Sequence, residues 1–364
     1  MTSKHCRLAV IIGTRPEAIK MAPVYLAARE HPSVNALLLA TGQHRALVQT
    51  ALEPFGLTPD LDLEVMSPGQ TPNDVLSRVL TRLAPVLEER KPDAILVQGD
   101  TTTTLAAALC AYHLRIPVGH VEAGLRTYDH NNPFPEEGNR QMVSRIATWS
   151  FAPTTASQQN LLQEKIEPGR IHVTGNTAVD ALVHILRKDQ PPPLAGRYIL
   201  MTLHRRESFG EPLQDILLGV RDFLEAVPEA QLVWPVHPNP AVMKTADEVM
   251  HGLPRVRRVE PVPYDTFANF LRHAAFVITD SGGIQEEGPS LGKTVLIARD
   301  ATERPEALAS GQNRLMGRQR KDITAAMHQA WREPAYVGPI PAPSPYGDGQ
   351  SAKRIVELVL AGLK

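Results

Sequence analysis

Leu8-Ala-Val-Ile-Ile12 runs without a break into Gly13-Thr-Arg-Pro-Glu17, and this junction sets the fold class. Five consecutive apolar residues fit a strand covered on both faces, because a strand with one wet face would alternate. The glycine lets the chain turn, and a proline belongs in the first turn of a helix, where its missing N–H costs nothing. Strand, tight turn and helix in that order open a βαβ unit, so the chain is expected to be an α/β protein.

The same alternation continues outward from this junction. Ala36 to Ala40, Ala94 to Val97 and Pro117 to Val121 read as further strands, with helices over Glu17 to Arg29 and Asp74 to Glu89, the second capped by Asn73. Asp189-Gln-Pro-Pro-Pro-Leu-Ala-Gly196 interrupts it, since three prolines in a row continue neither a helix nor a strand ladder. Strands then resume at Tyr198 to Leu203, Gln231 to Val236, Val256 to Val259, Phe276 to Thr279 and Thr294 to Ile297. At about 150 residues per domain, 364 residues make two domains. The expectation is two doubly wound Rossmann-like domains facing a cleft, over residues 1–188 and 197–345. A C-terminal helix within 346–364 is expected to pack back on the first.

Composition excludes several classes. Lys and Arg number 38 against 39 Asp and Glu, so no electrostatic case exists for nucleic acid or an anionic membrane as partner. The two cysteines, Cys6 and Cys110, lack CxxC spacing, which supports neither a disulfide framework nor a thiolate zinc site and fits a reducing cytosol. Arg15 and Pro16 interrupt the first apolar run before it becomes a signal-peptide core. Elsewhere no apolar stretch nears the roughly 18 to 20 residues that span a bilayer. A cytoplasmic protein is expected.

Open α/β sheets bind ligands beyond the carboxyl ends of their strands, and polar motifs follow strands in both halves. Gly13-Thr-Arg-Pro-Glu17 would aim a helix N-terminus at an anion, with Arg15 and then Lys20 adding positive charge. GxGxxG and GxxxxGK[ST] are both missing, so dinucleotide and P-loop binding are not indicated. Asp100 in Gln98-Gly99-Asp100 follows one strand and Glu122 the next, while Glu136 enters a helix from Pro133-Phe-Pro135. Clustered carboxylates repel unless cations or chemistry balance them, which suggests acid/base work; Asp100 as a mere helix cap is the alternative. His120-Val-Glu122 has the H-x-E form of a zinc deaminase without its PCxxC partner, so no metal is expected.

In the second half, His204-Arg-Arg-Glu207 gathers cations where an anionic ligand would lie. His237, between prolines, reads as structural. Ser281-Gly282-Gly283 follows a strand and starts a helix, placing amide donors and a hydroxyl for a phosphate. Glu287, one turn further on, is placed to accept from the two hydroxyls of a ribose.

Together GTRPEAIKMAPV (13–24), QGDTTTT (98–104), HVEAGLRT (120–127), PFPEEGNRQ (133–141), HRRES (204–208), DSGGIQEEGPSLGK (280–293), TERPEA (302–307) and SPYGDG (344–349) closely resemble the bacterial non-hydrolysing UDP-N-acetylglucosamine 2-epimerase family. The resemblance implies a glycosyltransferase-B architecture, usually homodimeric. It implies that Arg15 and Lys20 belong to the substrate site, that Asp100, Glu122 and Glu136 are catalytic acids, and that His204 contacts the phosphate of the nucleotide sugar. Val262, by its backbone, and Phe267, by its ring, would hold uracil. Ser281, Gly282 and Gly283 would take the diphosphate and Glu287 the ribose, with Arg304 a further nucleotide-site cation. Some members carry an effector site for UDP-N-acetylglucosamine, which Gln43, Glu136, Arg205 and His237 match. Ala46 and Gly69 depart from its glutamine and arginine.

The expected reaction interconverts UDP-N-acetylglucosamine and UDP-N-acetylmannosamine. The C2 hydrogen is not beside a carbonyl carbon in the ring, so direct carbanion formation is too costly. Opening the C1–O bond to UDP acidifies C2–H and gives a 2-acetamidoglucal, to which UDP adds back after protonation of the opposite face. No nicotinamide motif exists to oxidise C3 or C4, so no cofactor is expected. The alternatives are a hydrolysing epimerase releasing UDP and N-acetylmannosamine, a glycosyltransferase on the same scaffold, and a nucleotide-sugar sensor without catalysis.

Overall fold

In the computed structural model the apolar runs become strands β1 (Cys6–Ile12), β2 (Val34–Ala40), β3 (Leu61–Asp62), β4 (Ala94–Gln98), β5 (Val118–Val121), β6 (Trp149–Ala152) and β7 (Ile171–Val173). After residue 190 come β8 (Tyr198–Thr202), β9 (Gln231–Pro235), β10 (Val256–Val259), β11 (Val277–Thr279), β12 (Val295–Ile297) and β13 (Asn313–Leu315). The structure describes residues 5–43, 45–67, 69–188, 190–204, 209–302, 304, 306–338 and 344–363. Two compact units result: Met1–His184 with Tyr346–Lys364, and Ile185–Pro345.

Every described strand pair is parallel. The first sheet runs β3-β2-β1-β4-β5-β6-β7 and the second β10-β9-β8-β11-β12-β13. In each the order reverses once, between β1 and β4 and between β8 and β11. Such reversal points are where doubly wound sheets open a crevice for ligands. Gly13 and Asp100 follow the strands flanking the first reversal; His204 and Asp280 follow those flanking the second.

The cores account for the apolar patterning. Ala9, Ile11, Ile95 and Val97 pack with Val75, Val79, Leu83 and Leu87, four residues at one-turn spacing on the helix Pro72–Arg90. In the second unit Ile199 and Met201 pack against Leu213, Ile216, Val220 and Phe223 of the helix Glu211–Ala226. Asn73 is not the cap of its helix but its second residue. Thr71 is the cap: its Oγ1 accepts from the Asp74 amide at 3.2 Å, and Asp74 accepts from the Thr71 amide at 2.8 Å. Four short strands, β3, β6, β7 and β13, lie beyond those expected from the apolar runs.

The helix Ser351–Gly362 packs on the helix Arg15–Glu30 and belongs to the first unit. Its start is tied down by the Ala352 amide, which donates to Asp180 Oδ1 at 2.8 Å. Asp180→Ala leaves that buried N–H without its acceptor, so about 1–3 kcal/mol of stability is lost. Amide hydrogen exchange at Ala352 should accelerate in step with the drop in urea midpoint; an unchanged midpoint would remove this tether from the account. No helix among the described residues is long and apolar enough to cross a membrane.

Candidate active site

The helix start at Gly13–Glu17 already holds an anion, and the anion is the chain's own. The buried Glu17 carboxylate accepts from the Gly13 amide at 2.5 Å, from the Thr14 amide at 3.1 Å and from Thr101 Oγ1 at 2.5 Å. Burial pushes this carboxyl up, against the pull of those hydrogen bonds, and the nearby Asp100 charge pushes the same way. Gly13 allows the close approach: a Cβ there would stand 2.6 Å from Thr103 Cγ2 and 2.7 Å from Thr41 Oγ1. Arg15 is half-buried in the first turn of this helix.

Asp100 does not cap the helix that follows it. Thr101 does, its Oγ1 accepting from the Thr104 amide at 3.2 Å, which leaves the Asp100 side chain for other work. Arg140 Nη2 donates to Asp100 Oδ2 at 2.5 Å, and Asn139 Nδ2 donates to the Asp100 carbonyl at 2.9 Å. Arg140 is nearly buried whereas 26% of the Asp100 side chain is exposed, so the carboxylate is fixed on one side and open on the other. Burial holds its carboxyl above the ordinary aspartate range; Arg140 pulls it down and Glu136 pushes it up.

Glu122 sits just past β5 with φ +64°, a left-handed conformation uncommon for a non-glycine residue. Lys20 Nζ lies 2.5 Å from its Oε1, with 11% and 5% of the two side chains exposed, and Gln98 Nε2 donates to the other oxygen. Lys20, expected as a second cation near Arg15, thus pairs with Glu122. The two carboxylates stand beyond β4 and β5, neighbouring parallel strands. Glu136 is half-buried in the first turn of the helix Glu136–Ile146.

Glu137, beside it, is fully buried and structural. It accepts from the Thr127 and Tyr128 amides at 3.0 and 3.2 Å. Burial raises its carboxyl, but these hydrogen bonds, Gln141 and Arg140 outweigh that and set it below the usual glutamate range. His120 is buried too. Its Nε2 lies 2.7 Å from the Gly99 carbonyl, and burial drives the ring down to about 4, so it is neutral at pH 7.

In the second unit Ser281 caps the helix Gly282–Ser290. The Arg304 guanidinium packs against Gly282, where a Cβ would meet Nη1 at 2.6 Å and Cζ at 2.7 Å. Arg304 Nε donates to the buried Glu286 at 2.6 Å. Glu287 is buried one turn into the helix and accepts from Tyr264 Oη at 3.1 Å. Val262 lies between β10 and the helix Tyr264–His273, on which Phe267 is half-buried. His204, 46% exposed past β8, faces the fully buried Asp280 past β11.

Of the residues expected at an effector site, Gln43 Oε1 accepts from Thr103 Oγ1 at 2.7 Å in the first unit, the unit that also holds Glu136. His237 is in the second; its Nδ1 accepts from the Asn239 amide at 3.2 Å, and Phe209 lies 6.4 Å away, ring to ring. Arg205 lies outside the described residues. Ala46 and Gly69 are exposed. Residues that motif reading passed over are Glu17, Arg140, Asn139, Asp280 and Glu286. Glu17 had a signal, the T-x-x-E of a capping box; the others reach their partners only through the fold.

Comparison with known proteins identifies the family. The model of the family described as UDP-N-acetylglucosamine 2-epimerase matches residues 26–360. A UDP-N-acetylglucosamine 2-epimerase of Yersinia pestis is 45% identical, over 96% of this chain and 97% of that protein. One of Bacillus subtilis is 43% identical, over 98% and 96%. The crystal structure of UDP-GlcNAc 2-epimerase from Neisseria meningitidis bound to UDP-GlcNAc superposes with a TM-score of 0.89 at 40% identity, covering 98% of this chain and 100% of that one. Since the family model runs through both units and curated relatives are more than 40% identical over nearly the whole chain, the chain belongs to the UDP-N-acetylglucosamine 2-epimerase family.

Proposed function

We propose that the protein interconverts UDP-N-acetylglucosamine and UDP-N-acetylmannosamine by eliminating UDP and adding it back, without hydrolysis. The observation that carries this reading is the pair Asp100 and Glu122 on neighbouring strand ends, each held by a largely buried cation, in a chain of this family. Elimination breaks C1–O, the bonding electrons leaving with UDP, while a carboxylate takes the C2 proton. Protonation from the opposite face and return of the diphosphate oxygen to C1 complete the inversion. Asp100, Glu122 and Glu136 supply the proton acceptor and donor. His204, Arg15, Arg304 and the Ser281–Gly283 helix start offset the charge of the departing diphosphate.

In this reading the first unit is the catalytic domain and the second the nucleotide domain, with Val262, Phe267 and Glu287 on uridine. Gln43, Glu136, Arg205 and His237 match positions of the family's effector site, from which Ala46 and Gly69 depart. The enzyme works in the cytosol as a homodimer, which sedimentation of the pure protein checks. The deciding experiment is incubation with UDP-N-acetylglucosamine in D2O. Deuterium enters C2 of both sugars, and UDP-N-acetylmannosamine accumulates with little free N-acetylmannosamine. Inversion without exchange ends the elimination scheme; free sugar as main product makes the enzyme hydrolysing.

Gly282→Ala tests the nucleotide side. The added methyl displaces the Arg304 guanidinium, which Glu286 otherwise pins. A lost charge-assisted hydrogen bond is worth about 1.5 kcal/mol or more, so UDP binds at least about tenfold more weakly by calorimetry. Unaltered affinity would remove Arg304 from the phosphate site.

A further inference from the structure

Among the buried acids that the scheme above leaves unused is Asp280. Asp280 is fully buried at the carboxyl end of β11, where a carboxylate is costly unless paired. Both its oxygens accept from the His204 amide at 3.1 Å, and Oδ1 lies 3.2 Å from His204 Nδ1. The two strands are locked at this end. Thr202 and Thr279 are register partners whose hydroxyls meet at 2.7 Å, and the Ser281 amide donates to Thr279 Oγ1 at 2.9 Å.

We propose that Asp280 is a positioning residue for His204: its carboxylate keeps the ring proton on Nδ1, so that Nε2 is the atom offered to the leaving diphosphate. A carboxylate only accepts, so the nitrogen facing it must carry hydrogen. The imidazole, nearly half exposed, therefore sets one nitrogen beside a buried carboxylate. When Nε2 takes a proton, the positive ring lies between Asp280 and the phosphate. The wrong tautomer would turn a lone pair toward Asp280, which has no hydrogen to give.

What Nε2 meets rests on the epimerase reading, but the tautomer does not. Nitrogen-15 NMR of histidine-labelled protein, with His204 assigned from the spectrum of His204→Asn, reads it directly. The neutral ring is expected as the Nδ1–H form, and the Nε2–H form overturns the proposal. In kinetics, Asp280→Asn lowers kcat at least about 30-fold while KM and the Kd of UDP stay within about threefold. On a His204→Asn background the same change alters kcat less than threefold, because its target is gone. An equal loss on both backgrounds marks a merely structural residue and overturns the proposal. If Asp280→Asn fails to fold, the NMR result on the unaltered protein decides. Wild-type exchange of deuterium into C2 is scored separately, so failure here leaves the epimerase reading standing.

Discussion

Asp100→Asn, Glu122→Gln and Glu136→Gln each lower kcat at least about 100-fold, or about 2.7 kcal/mol of transition-state stabilisation. Each substitution preserves size and hydrogen-bonding reach while removing the ability to take or give a proton. Asp100 is suited to that exchange, since burial already holds its proton more tightly than an ordinary aspartate does and part of the side chain stays open. Glu122 is suited differently: Lys20 and Gln98 grip both of its oxygens and a left-handed backbone fixes their direction. Its Gln variant leaves Lys20 facing a neutral amide, whereas Arg140 keeps Glu137 when Asp100 is replaced, so it should be the least stable of the three. UDP affinity within about threefold of wild type in all three separates lost chemistry from lost binding. Wild-type turnover in all three would end the carboxylate mechanism.

The fold was legible because buried parallel strands are written as unbroken apolar runs, as in Leu8–Ile12 and Ala94–Val97. Short edge strands such as β3, two residues long, and β13, whose Arg314 and Leu315 are partly or largely exposed, carry no such run. Asp100 and Glu122 were legible because they follow strands, and Glu136 because prolines lead into its helix. Their cations were not: Arg140 reaches Asp100 across 40 residues and Lys20 reaches Glu122 across 102. Only helix packing on a shared sheet makes those pairs, and local sequence holds no trace of it. The Gly13–Glu17 turn teaches a related lesson. A helix N-terminus attracts the nearest carboxylate, and here a glutamate three residues past the cap lies closer than any ligand.

Arg140→Met should show how far the first unit depends on such a hidden cation. The guanidinium, 7% exposed, serves two acids, Asp100 Oδ2 at 2.5 Å and Glu137 Oε2 at 3.4 Å. Removing one partner of a buried pair costs about 3 kcal/mol, the lower end of the usual range because Asp100 keeps contact with water. The loss depends on pH with a definite sign. Asp100 in the folded protein binds its proton more tightly than in the unfolded chain, so this group favours folding at acid pH, and that contribution is lost as pH rises through its folded value. Without Arg140 the folded value climbs further, and Glu137 loses one of the groups that hold it low. The stability deficit of the variant is therefore small where both acids are protonated and largest at neutral pH. The same rise moves the acid limb of kcat/KM to higher pH where Asp100 acts as the proton acceptor. Urea unfolding across the acid-to-neutral range reads the first effect and pH–rate profiles the second. A deficit that stays constant with pH would mean that Arg140 supports the fold by packing alone.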